Sequence, residues 1–426
     1  MPEQTQISFF RIFDPPETAV FDQVAKFDRT SSQWKHGFVR YDLSEADQWG
    51  APPIKFIDKI QLPSKEVLVP GNIEWIEKGF LILPSGVKEY YGDENLFNNL
   101  VEFLKRYILL DEKFYKLIAS YIFLTWSYNR FPEIPYLRFL GDYATGKSRA
   151  LEVVSSLAFR AVRFGGAIRP ASIYRVIDQV GGTLILDETD FGENSDINQI
   201  LCTGYRRNNP IVRCNPKTFQ PEVFNTFCPK AIASRKSFTD EALESRCITI
   251  FMNRRDLPPE MPRVLKQDFE EEAENLRNQL LLWRLRHIDE EKVSNHPIEG
   301  LSNRYNEIAI PLITLFPHLE EELRKFFLDL QSKQKLDASL SEKAVILQAI
   351  LQTGSLNDCD RTMSVISKEA NSISNNFNHN YKFTARKIGQ IIRELDLVVK
   401  RGKNGYYIPK DENRKQIVIL WEEVSK

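Results

Sequence analysis

One stretch of the sequence, residues 136–148, restricts the possible folds more than any other. It begins with a mainly apolar, extended pattern over Tyr136–Leu140 and passes through Gly141-x-x-x-x-Gly146-Lys147-Ser148 into an apolar helical pattern. Two glycines at this spacing let backbone N–H groups curl around an anion, and the following helix directs its positive dipole to the same place. The strand–loop–helix order is the context that a phosphate-binding loop requires. The sequence therefore predicts an α/β domain that binds a nucleoside triphosphate.

The chemistry of the loop residues assigns their roles. Lys147 carries a charge that reaches the β- and γ-phosphates, and the Ser148 hydroxyl holds Mg²⁺, so ATP and Mg²⁺ are the expected cofactors. A glycine-containing turn without a ligand is the alternative. The predicted nucleotide contacts in this segment are Gly141, Asp142, Tyr143, Ala144, Thr145, Gly146, Lys147, Ser148 and Arg149.

A second motif lies further along the predicted α/β domain. Residues 183–186 are mostly apolar and predict a short buried strand, and Asp187 and Glu188 follow at its end. Open α/β sheets bind ligands at the carboxyl ends of their strands. We expect Asp187 to bind Mg²⁺ through water, and Glu188 to orient and polarise the attacking water. The alternative is an acidic strand end that leads into a turn.

Composition excludes several other classes of protein. The 426 residues include 57 basic and 58 acidic side chains, so any nucleic-acid-binding surface must be local. Five cysteines without a CxxC pair argue against a disulfide framework or a zinc ribbon and are typical of a reducing cytoplasm. The N-terminus does not resemble a signal peptide, and the most apolar segment, residues 114–126, is too short to span a bilayer. We expect a cytoplasmic protein without a membrane partner.

Local patterns along the chain predict four domains. Residues 1–95 have short apolar runs between turn residues and predict a small β or α+β module without evident chemistry. Residues 96–255 predict leading helices and then a parallel sheet covered by helices. Residues 256–335 predict a helical lid over the nucleotide. Residues 336–426 predict three helices and a hairpin that turns at Asn404-Gly405, which is a winged helix.

Two further segments complete a recognisable order of motifs. Residues 229–235 predict a buried strand with a polar end, and residues 240–250 predict a short helix, Arg246 and a strand. With the phosphate loop and the Asp187-Glu188 strand, this order resembles the AAA+ ATPases. More narrowly, it is similar to the MCM-like, self-loading helicases of bacterial mobile elements such as staphylococcal cassette chromosomes. The resemblance is strong over residues 134–251, weaker over the C-terminal third and absent before residue 96.

The resemblance implies roles for three more residues. Ser234 takes the position of sensor 1, where many relatives have Asn; a capping hydroxyl is the alternative. Arg246 takes the position of the arginine finger, whose permanent charge reaches the γ-phosphate of the neighbouring subunit; an ordinary salt bridge is the alternative. Arg304 is the candidate for sensor 2 in the lid, and a surface arginine is the alternative. A nucleotide shared between subunits implies a homo-oligomeric ring, most simply a hexamer.

Two basic segments predict contacts with DNA. Residues 211–227 predict a hairpin, which in the resembled helicases enters the central pore and grips a single strand, here through Arg213 and Lys217. A solvated basic loop is the alternative, and Arg206 and Arg207 are candidates for the subunit interface. The predicted winged helix has a local excess of basic residues and would bind duplex DNA, unless it is a protein-interaction module. Its predicted DNA contacts are Arg386, Lys387, Arg393, Lys400, Arg401 and Lys403.

Together these assignments predict an ATP-dependent DNA helicase or translocase that works as an oligomeric ring in the replication of a mobile genetic element. ATP hydrolysis would move the pore hairpin and pull a strand through the ring. Two other functions use the same residues: a regulatory or loader ATPase, and an ATP-switched initiator that binds DNA without unwinding it.

Overall fold

The computed structural model describes residues 4–14, 17–43, 54–62, 64–165, 169–187, 196–238, 240–288, 290, 296–339, 342–353, 362–376, 382–403 and 405–425. The chain divides into two compact units, Met1–Phe326 and Phe327–Lys426. The finer domain boundaries expected near residues 95, 255 and 335 stay predictions.

The first unit begins with a β-rich part. Its elements are β1 (Gln4–Ile7), β2 (Phe9–Asp14), β3 (Glu17–Asp28), β4 (Gln33–Asp42), β5 (Ile54–Ile57), β6 (Ile60–Gln61), β7 (Val67–Pro70), α1 (Ile73–Glu77) and β8 (Leu81–Ile82). Strands β2 to β5 form an antiparallel sheet in chain order, and β1, β7 and β6 form a second sheet. The two sheets share an apolar core, because Phe21 and Phe38 of the first pack with Ile60 and Leu68 of the second.

Two helices, α2 (Asp93–Tyr107) and α3 (Glu112–Ser127), follow, with a 3-10 turn at Tyr128–Arg130. Helix α3 is buried along almost its whole length, which agrees with its apolar residues on every face. Its last turn is anchored because Trp126 Nε1 donates a hydrogen bond of 2.9 Å to the carbonyl of Leu157. Among the helices that the structure describes, none has the length and the apolar character to cross a membrane.

The centre of the first unit is a mixed α/β layer with a parallel sheet, as the α/β part of the predicted fold class requires. Its elements are β9 (Tyr136–Leu140), α4 (Lys147–Leu157), β10 (Ala161–Phe164), α5 (Pro170–Val180), β11 (Leu184–Leu186), α6 (Asp196–Thr203), β12 (Ile211–Cys214), β13 (Pro221–Phe224), β14 (Lys230–Ser234), α7 (Glu241–Glu244) and β15 (Cys247–Phe251). The strand order is β15-β9-β14-β11-β10-β8, and only the edge strand β8 is antiparallel to its neighbour in this described sheet.

Helices predominate from residue 267 to the end of the first unit. They are α8 (Gln267–Arg286), α9 (Asn303–Leu315) and the start of α10 (Glu320–Ser339), which continues into the second unit after Phe326, with a 3-10 turn at Pro317–Leu319. Asp22 of β3 joins this helical part to the sheet, because it pairs with Arg160 at 2.7 Å and with Arg284 of α8 at 3.4 Å. All three side chains are buried, so the N-terminal strands, the sheet and α8 share one ionic junction.

The second unit contains α11 (Glu342–Gln352), α12 (Met363–Asn376), α13 (Ala385–Glu394), β16 (Lys400–Gly402), β17 (Gly405–Tyr407) and α14 (Lys410–Ser425). Thr384 caps α13, since its hydroxyl accepts a hydrogen bond of 3.2 Å from the backbone N–H of Lys387. Strands β16 and β17 pair as an antiparallel hairpin, while Asn404 of its predicted turn lies outside the described residues. Helix α14, which the sequence pattern did not predict, buries Ile417 in the same core as α11 to α13.

Candidate nucleotide site

The loop between β9 and α4 needs both of its glycines, for different reasons. Gly146 has a φ of 88°, in the left-handed region, and immediately precedes the first residue of α4. Gly141 lies so close to Met252 that a Cβ atom would collide with the carbonyl oxygen of Met252. The N–H of Gly141 also donates a hydrogen bond of 3.2 Å to the carbonyl of Ser234. The loop is therefore held against the ends of the neighbouring strands.

Lys147 folds back over this loop. Its Nζ donates a hydrogen bond of 2.6 Å to the carbonyl of Asp142, which also accepts one of 2.9 Å from Thr145 Oγ1. The ammonium group thus lies beside the loop backbone that would surround a phosphate. This is where a cation can neutralise phosphate charge.

The structure brings together two oxygen atoms from separate motifs. Ser148 Oγ, in the first turn of α4, donates a hydrogen bond of 3.2 Å to Asp187 Oδ1 at the end of β11. Asp187 is held there because its N–H donates to the carbonyl of Phe164 at 3.1 Å. A hydroxyl and a carboxylate at this separation suit Mg²⁺, which takes few protein ligands and completes its shell with phosphate and water. Glu188, the predicted water-orienting residue, lies outside the described residues.

Strand β14 lies between β9 and β11 in the sheet, and its C-terminal end lies on the same side as the phosphate loop and Asp187. Ser234 is paired with Leu140 in the strand register and is only 2% exposed. Its Oγ has no hydrogen-bond partner among the described residues. A buried hydroxyl is rarely left unbonded, so this one is available to a ligand that enters the loop.

Two residues of this region have contacts that the sequence did not suggest. Arg149 donates a hydrogen bond of 2.6 Å to the carbonyl of Pro262, which fixes α4 to the segment after β15. Arg235, directly after Ser234, donates from Nη1 to Tyr143 Oη, and its guanidinium carbon lies 3.9 Å from the centroid of that ring. The only sequence signal for Arg235 is a basic residue after a polar strand end.

Arg246 lies at the N-terminal ends of the parallel strands, whereas the phosphate loop lies at their C-terminal ends. Its carbonyl accepts a hydrogen bond of 2.9 Å from the N–H of Tyr136, at the start of β9, whereas the loop follows the end of β9. The strand between these ends is about 13 Å long at about 3.3 Å per residue. Arg246 is 9% exposed, and its Nε and Nη1 have no hydrogen-bond partner among the described residues.

A buried ion pair sets the position of Arg246. Arg138 of β9 is fully buried and pairs with Glu244, the last residue of α7. Arg138 also donates a hydrogen bond of 2.8 Å from Nη2 to Thr249 Oγ1 of β15. The short helix before Arg246 is therefore fixed to the strand that carries the phosphate loop at its other end.

Arg304 lies with Arg246, and both face the ring of Tyr205. The guanidinium carbons of Arg246 and Arg304 are 4.1 Å and 5.6 Å from the ring centroid. Arg304 Nη1 donates to Tyr205 Oη at 3.4 Å and pairs with Glu307, while Arg206 lies 5.6 Å from the same ring. Arg304, the candidate for sensor 2 in the lid, therefore lies near the start of β9, whereas Lys147 follows the end of that strand.

The hairpin expected before Ser234 is formed by β12 and β13. Asn215 stabilises its tip, because Asn215 Oδ1 accepts hydrogen bonds from the N–H groups of Lys217 at 2.9 Å and Thr218 at 3.2 Å. Lys217 is exposed, and Arg213 is partly buried beside Tyr174, 6.0 Å from its ring centroid. Phe219 at the tip is 78% exposed, so the hairpin presents a cation and an aromatic ring to solvent.

Lys230 connects the base of this hairpin to β14. It is fully buried, and its Nζ donates to the carbonyls of Gly204, Thr226 and Cys228 at 2.9, 3.2 and 2.9 Å. Burial lowers the pKa of Lys230, while the three carbonyls occupy all the N–H donors of its ammonium form. One strand therefore runs from the hairpin base to the phosphate loop.

The predicted DNA contacts of the second unit lie on α13 and the β16–β17 hairpin. Lys387 is paired with Glu342, and Lys400 with Glu412. The remaining four, all exposed, are Arg386, Arg393, Arg401 and Lys403.

Comparison with known proteins gives only distant structural similarity. No family model matches the chain, and no curated protein matches it in sequence. The chain is similar to the apo structure of the NrS-1 C-terminal region, with a TM-score of 0.35 and 13% identity over 91% of this chain and 95% of that chain. It is also similar to the X-ray structure of the JCV helicase, with a TM-score of 0.28 and 14% identity over 62% of this chain and 66% of that chain.

Proposed function

We propose that the chain is an ATP-hydrolysing motor of the AAA+ class that moves DNA as a ring of identical subunits. The hydrogen bond between Ser148 Oγ and Asp187 Oδ1 carries this proposal. It joins a phosphate-loop helix to an acidic strand end, which is the arrangement that binds Mg²⁺ with a nucleoside triphosphate.

Each of the site residues at the C-terminal ends of β9, β11 and β14 would have a role in hydrolysis. The loop backbone from Gly141 to Gly146 and the Lys147 ammonium would bind the phosphates, and Ser148 and Asp187 would hold Mg²⁺. A metal bound there would neutralise part of the phosphate charge. Glu188 follows Asp187 in the chain and would orient water, and the unbonded Ser234 Oγ would donate to the phosphate or to that water.

The cluster around Tyr205 supports a site shared between subunits. Arg246 is about 13 Å of strand away from its own loop. Its guanidinium, which lies on the Tyr205 ring, would serve a phosphate of the neighbouring subunit, and Arg304 beside it would do the same. This placement favours Arg304 as a contact to the neighbour's nucleotide rather than as a sensor for its own. A contact of this head-to-tail kind closes into a ring, for which we propose a hexamer.

The hairpin would turn hydrolysis into movement along DNA. Lys217 and Arg213 would contact the phosphates of a single strand in the pore, since such contacts need only positioned cations. Strand β14 links the hairpin base at Lys230 to Ser234 at the nucleotide. The second unit, in which α11 to α13 precede the β16–β17 hairpin, would act as a winged helix on duplex DNA through its four exposed basic residues. Replication of a mobile genetic element is the setting that the sequence resemblance favours.

The decisive experiment measures ATP hydrolysis with and without single-stranded DNA, together with strand separation on a forked duplex. The wild-type chain should be stimulated by DNA and should unwind the fork, and Lys147→Ala should do neither. Native mass measurement with Mg²⁺ and nucleotide should give a multiple of the subunit mass. A monomer that ignores DNA would overturn the proposal, and DNA-independent hydrolysis would indicate a regulatory or loader ATPase.

A second candidate is an ATP-switched initiator that binds duplex DNA without unwinding it. The exposed basic residues on α13 and its hairpin favour it, because they need only a duplex as partner. Binding to specific and random duplexes over a salt series separates the two functions. An initiator should prefer one sequence by about 10³-fold or more, whereas a motor should not.

A further inference from the structure

Arg235 connects the end of β14 to the phosphate loop by its side chain. Its Nη1 donates to Tyr143 Oη, and its guanidinium carbon lies 3.9 Å from the centroid of the Tyr143 ring. Tyr143 belongs to the loop itself, and its N–H donates a hydrogen bond of 2.7 Å to Asp142 Oδ1. A stack this close fixes the plane of the guanidinium as well as its position.

This contact places a permanent charge beside the loop that would hold the phosphates. The Arg235 side chain is only partly buried, and Tyr143 is 66% exposed, so solvent and ligands have access to the pair. The backbone is fixed nearby, because the N–H of Gly141 donates to the carbonyl of Ser234, the residue before Arg235. The end of the strand is therefore fixed, and the guanidinium on Tyr143 is accessible to a ligand bound in the loop.

We propose that Arg235 contacts the terminal phosphate of a triphosphate bound in its own subunit, with Tyr143 as the residue that positions it. The inference rests on the proposed function, since it assumes that the loop binds ATP. A guanidinium donates two parallel hydrogen bonds to phosphate oxygens, and these charged bonds are stronger than its bond to the neutral hydroxyl of Tyr143. A diphosphate lacks the oxygens that this contact needs. Arg235 would thus distinguish ATP from ADP.

Arg235 lies at the end of the strand that also reaches the base of the hairpin. It follows the last residue of β14, whose first residue, Lys230, holds the carbonyls at the base of the hairpin. A side chain that changes partner between Tyr143 and a phosphate would report the state of the nucleotide to this strand. Ser234 would contribute a hydroxyl from the same strand end, but it carries no charge to match the additional phosphate.

The test measures the binding of a non-hydrolysable ATP analogue and of ADP, both with Mg²⁺, by calorimetry on the full chain. Arg235→Ala should weaken the triphosphate analogue by about 10- to 100-fold, as expected for a charged hydrogen-bonding partner, and ADP by no more than about twofold. Arg235→Lys keeps the charge without the planar fork and should lie between. Lys236→Ala removes the adjacent exposed charge and is the matched control, with both affinities unchanged.

Variants of Tyr143 test the same proposal independently if Arg235→Ala folds poorly. Tyr143→Phe keeps the ring and should retain most of the discrimination, whereas Tyr143→Ala should reduce it. If Arg235→Ala lowers the affinity for the analogue and for ADP equally, or lowers neither, the proposed role of Arg235 is wrong. The proposed nucleotide site is not affected by that outcome. If the wild-type chain binds neither nucleotide, the proposed function itself fails.

Discussion

The guanidinium of Arg246 stacks on the ring of Tyr205, 4.1 Å from its centroid, at the end of the parallel strands opposite to Lys147. Strand β9 separates the two ends, because Tyr136 at its start bonds to the Arg246 carbonyl and Leu140 at its end leads into the phosphate loop. The candidate nucleotide site and the cluster around Tyr205 therefore lie at opposite ends of β9. This polarity suits a ring in which each subunit completes the site of the next.

Arg246→Ala should abolish hydrolysis and leave ATP binding intact. An arginine that stabilises transferring phosphate contributes about 10³- to 10⁵-fold to turnover, and little of this is needed to bind the ground state. Hydrolysis and nucleotide affinity are measured on the same preparation. Lys65→Ala, which removes an exposed cation of the N-terminal β-rich part, should retain turnover.

Mixed rings decide whether Arg246 acts on the neighbouring subunit. A chain with Lys147→Ala cannot bind ATP productively but still offers Arg246, and a chain with Arg246→Ala has the opposite defect. Mixing the two inactive variants should restore part of the activity, since some interfaces then contain both wild-type residues. If no mixture regains hydrolysis, Arg246 does not work across the interface.

Arg304→Ala should behave like Arg246→Ala, because both guanidiniums face Tyr205. Either substitution removes a cation from the cluster around Tyr205. The fold decrease in hydrolysis rate of the double variant should therefore be smaller than the product of the two single decreases. The measurement is a double-mutant cycle on hydrolysis rate at saturating ATP. Fully multiplicative losses, or a loss of ATP binding in Arg304→Ala alone, would instead favour contact with the nucleotide of its own subunit.

The sequence predicts the central sheet well because its signals are local. The Gly141 to Ser148 motif combines a strand, a turn and a helix start within a few residues, and the structure has all three in place. The strand before Asp187 and the hairpin before Ser234 are likewise local patterns of apolar residues and turn residues. Such patterns fix secondary structure without knowledge of the tertiary neighbours.

Contacts between distant segments could not be predicted in this way. The stack of Arg235 on Tyr143 depends on β14 lying next to β9, although many residues separate them in the chain. The cluster around Tyr205 joins three segments, and nothing near Arg304 in the sequence indicates it. The apolar runs of residues 1–95 likewise do not show that β8 extends the central sheet.

Asp22→Ala should strongly destabilise the first unit. Asp22 is 1% exposed and pairs with Arg160 and Arg284, so its loss leaves two buried guanidiniums without their carboxylate. Breaking a buried ionic pair costs about 3 to 5 kcal/mol. Urea unfolding measures the change, and Asp58→Ala, which removes an exposed carboxylate of the same β-rich part, should have little effect. Similar stabilities for the two variants would contradict a structural role for this junction.

Lys217→Ala should reduce the stimulation of hydrolysis by single-stranded DNA. Lys217 is exposed at the hairpin tip and would release one counterion on binding a phosphate. Its removal should therefore lower the slope of log affinity against log salt by about 0.7 for a single strand. Fluorescence binding over a salt series measures the slope, with exposed Lys65→Ala as the control. An unchanged slope would place the DNA elsewhere on the subunit.

Lys230→Met should loosen the base of the hairpin and lower the stability of the first unit. The substitution keeps an unbranched apolar stem but leaves the carbonyls of Gly204, Thr226 and Cys228 without their common donor. A buried polar group without a partner costs about 1 to 3 kcal/mol, so we expect a loss of about 3 kcal/mol or more in urea unfolding. Lys236→Ala removes an exposed side chain just beyond the other end of the same strand and should be close to wild type. Hydrogen exchange should also show faster opening of residues 204–228 in Lys230→Met, because the ammonium holds both ends of that segment. If exchange there is unchanged, the strand does not anchor the hairpin, and the proposed path from nucleotide to DNA loses its structural basis.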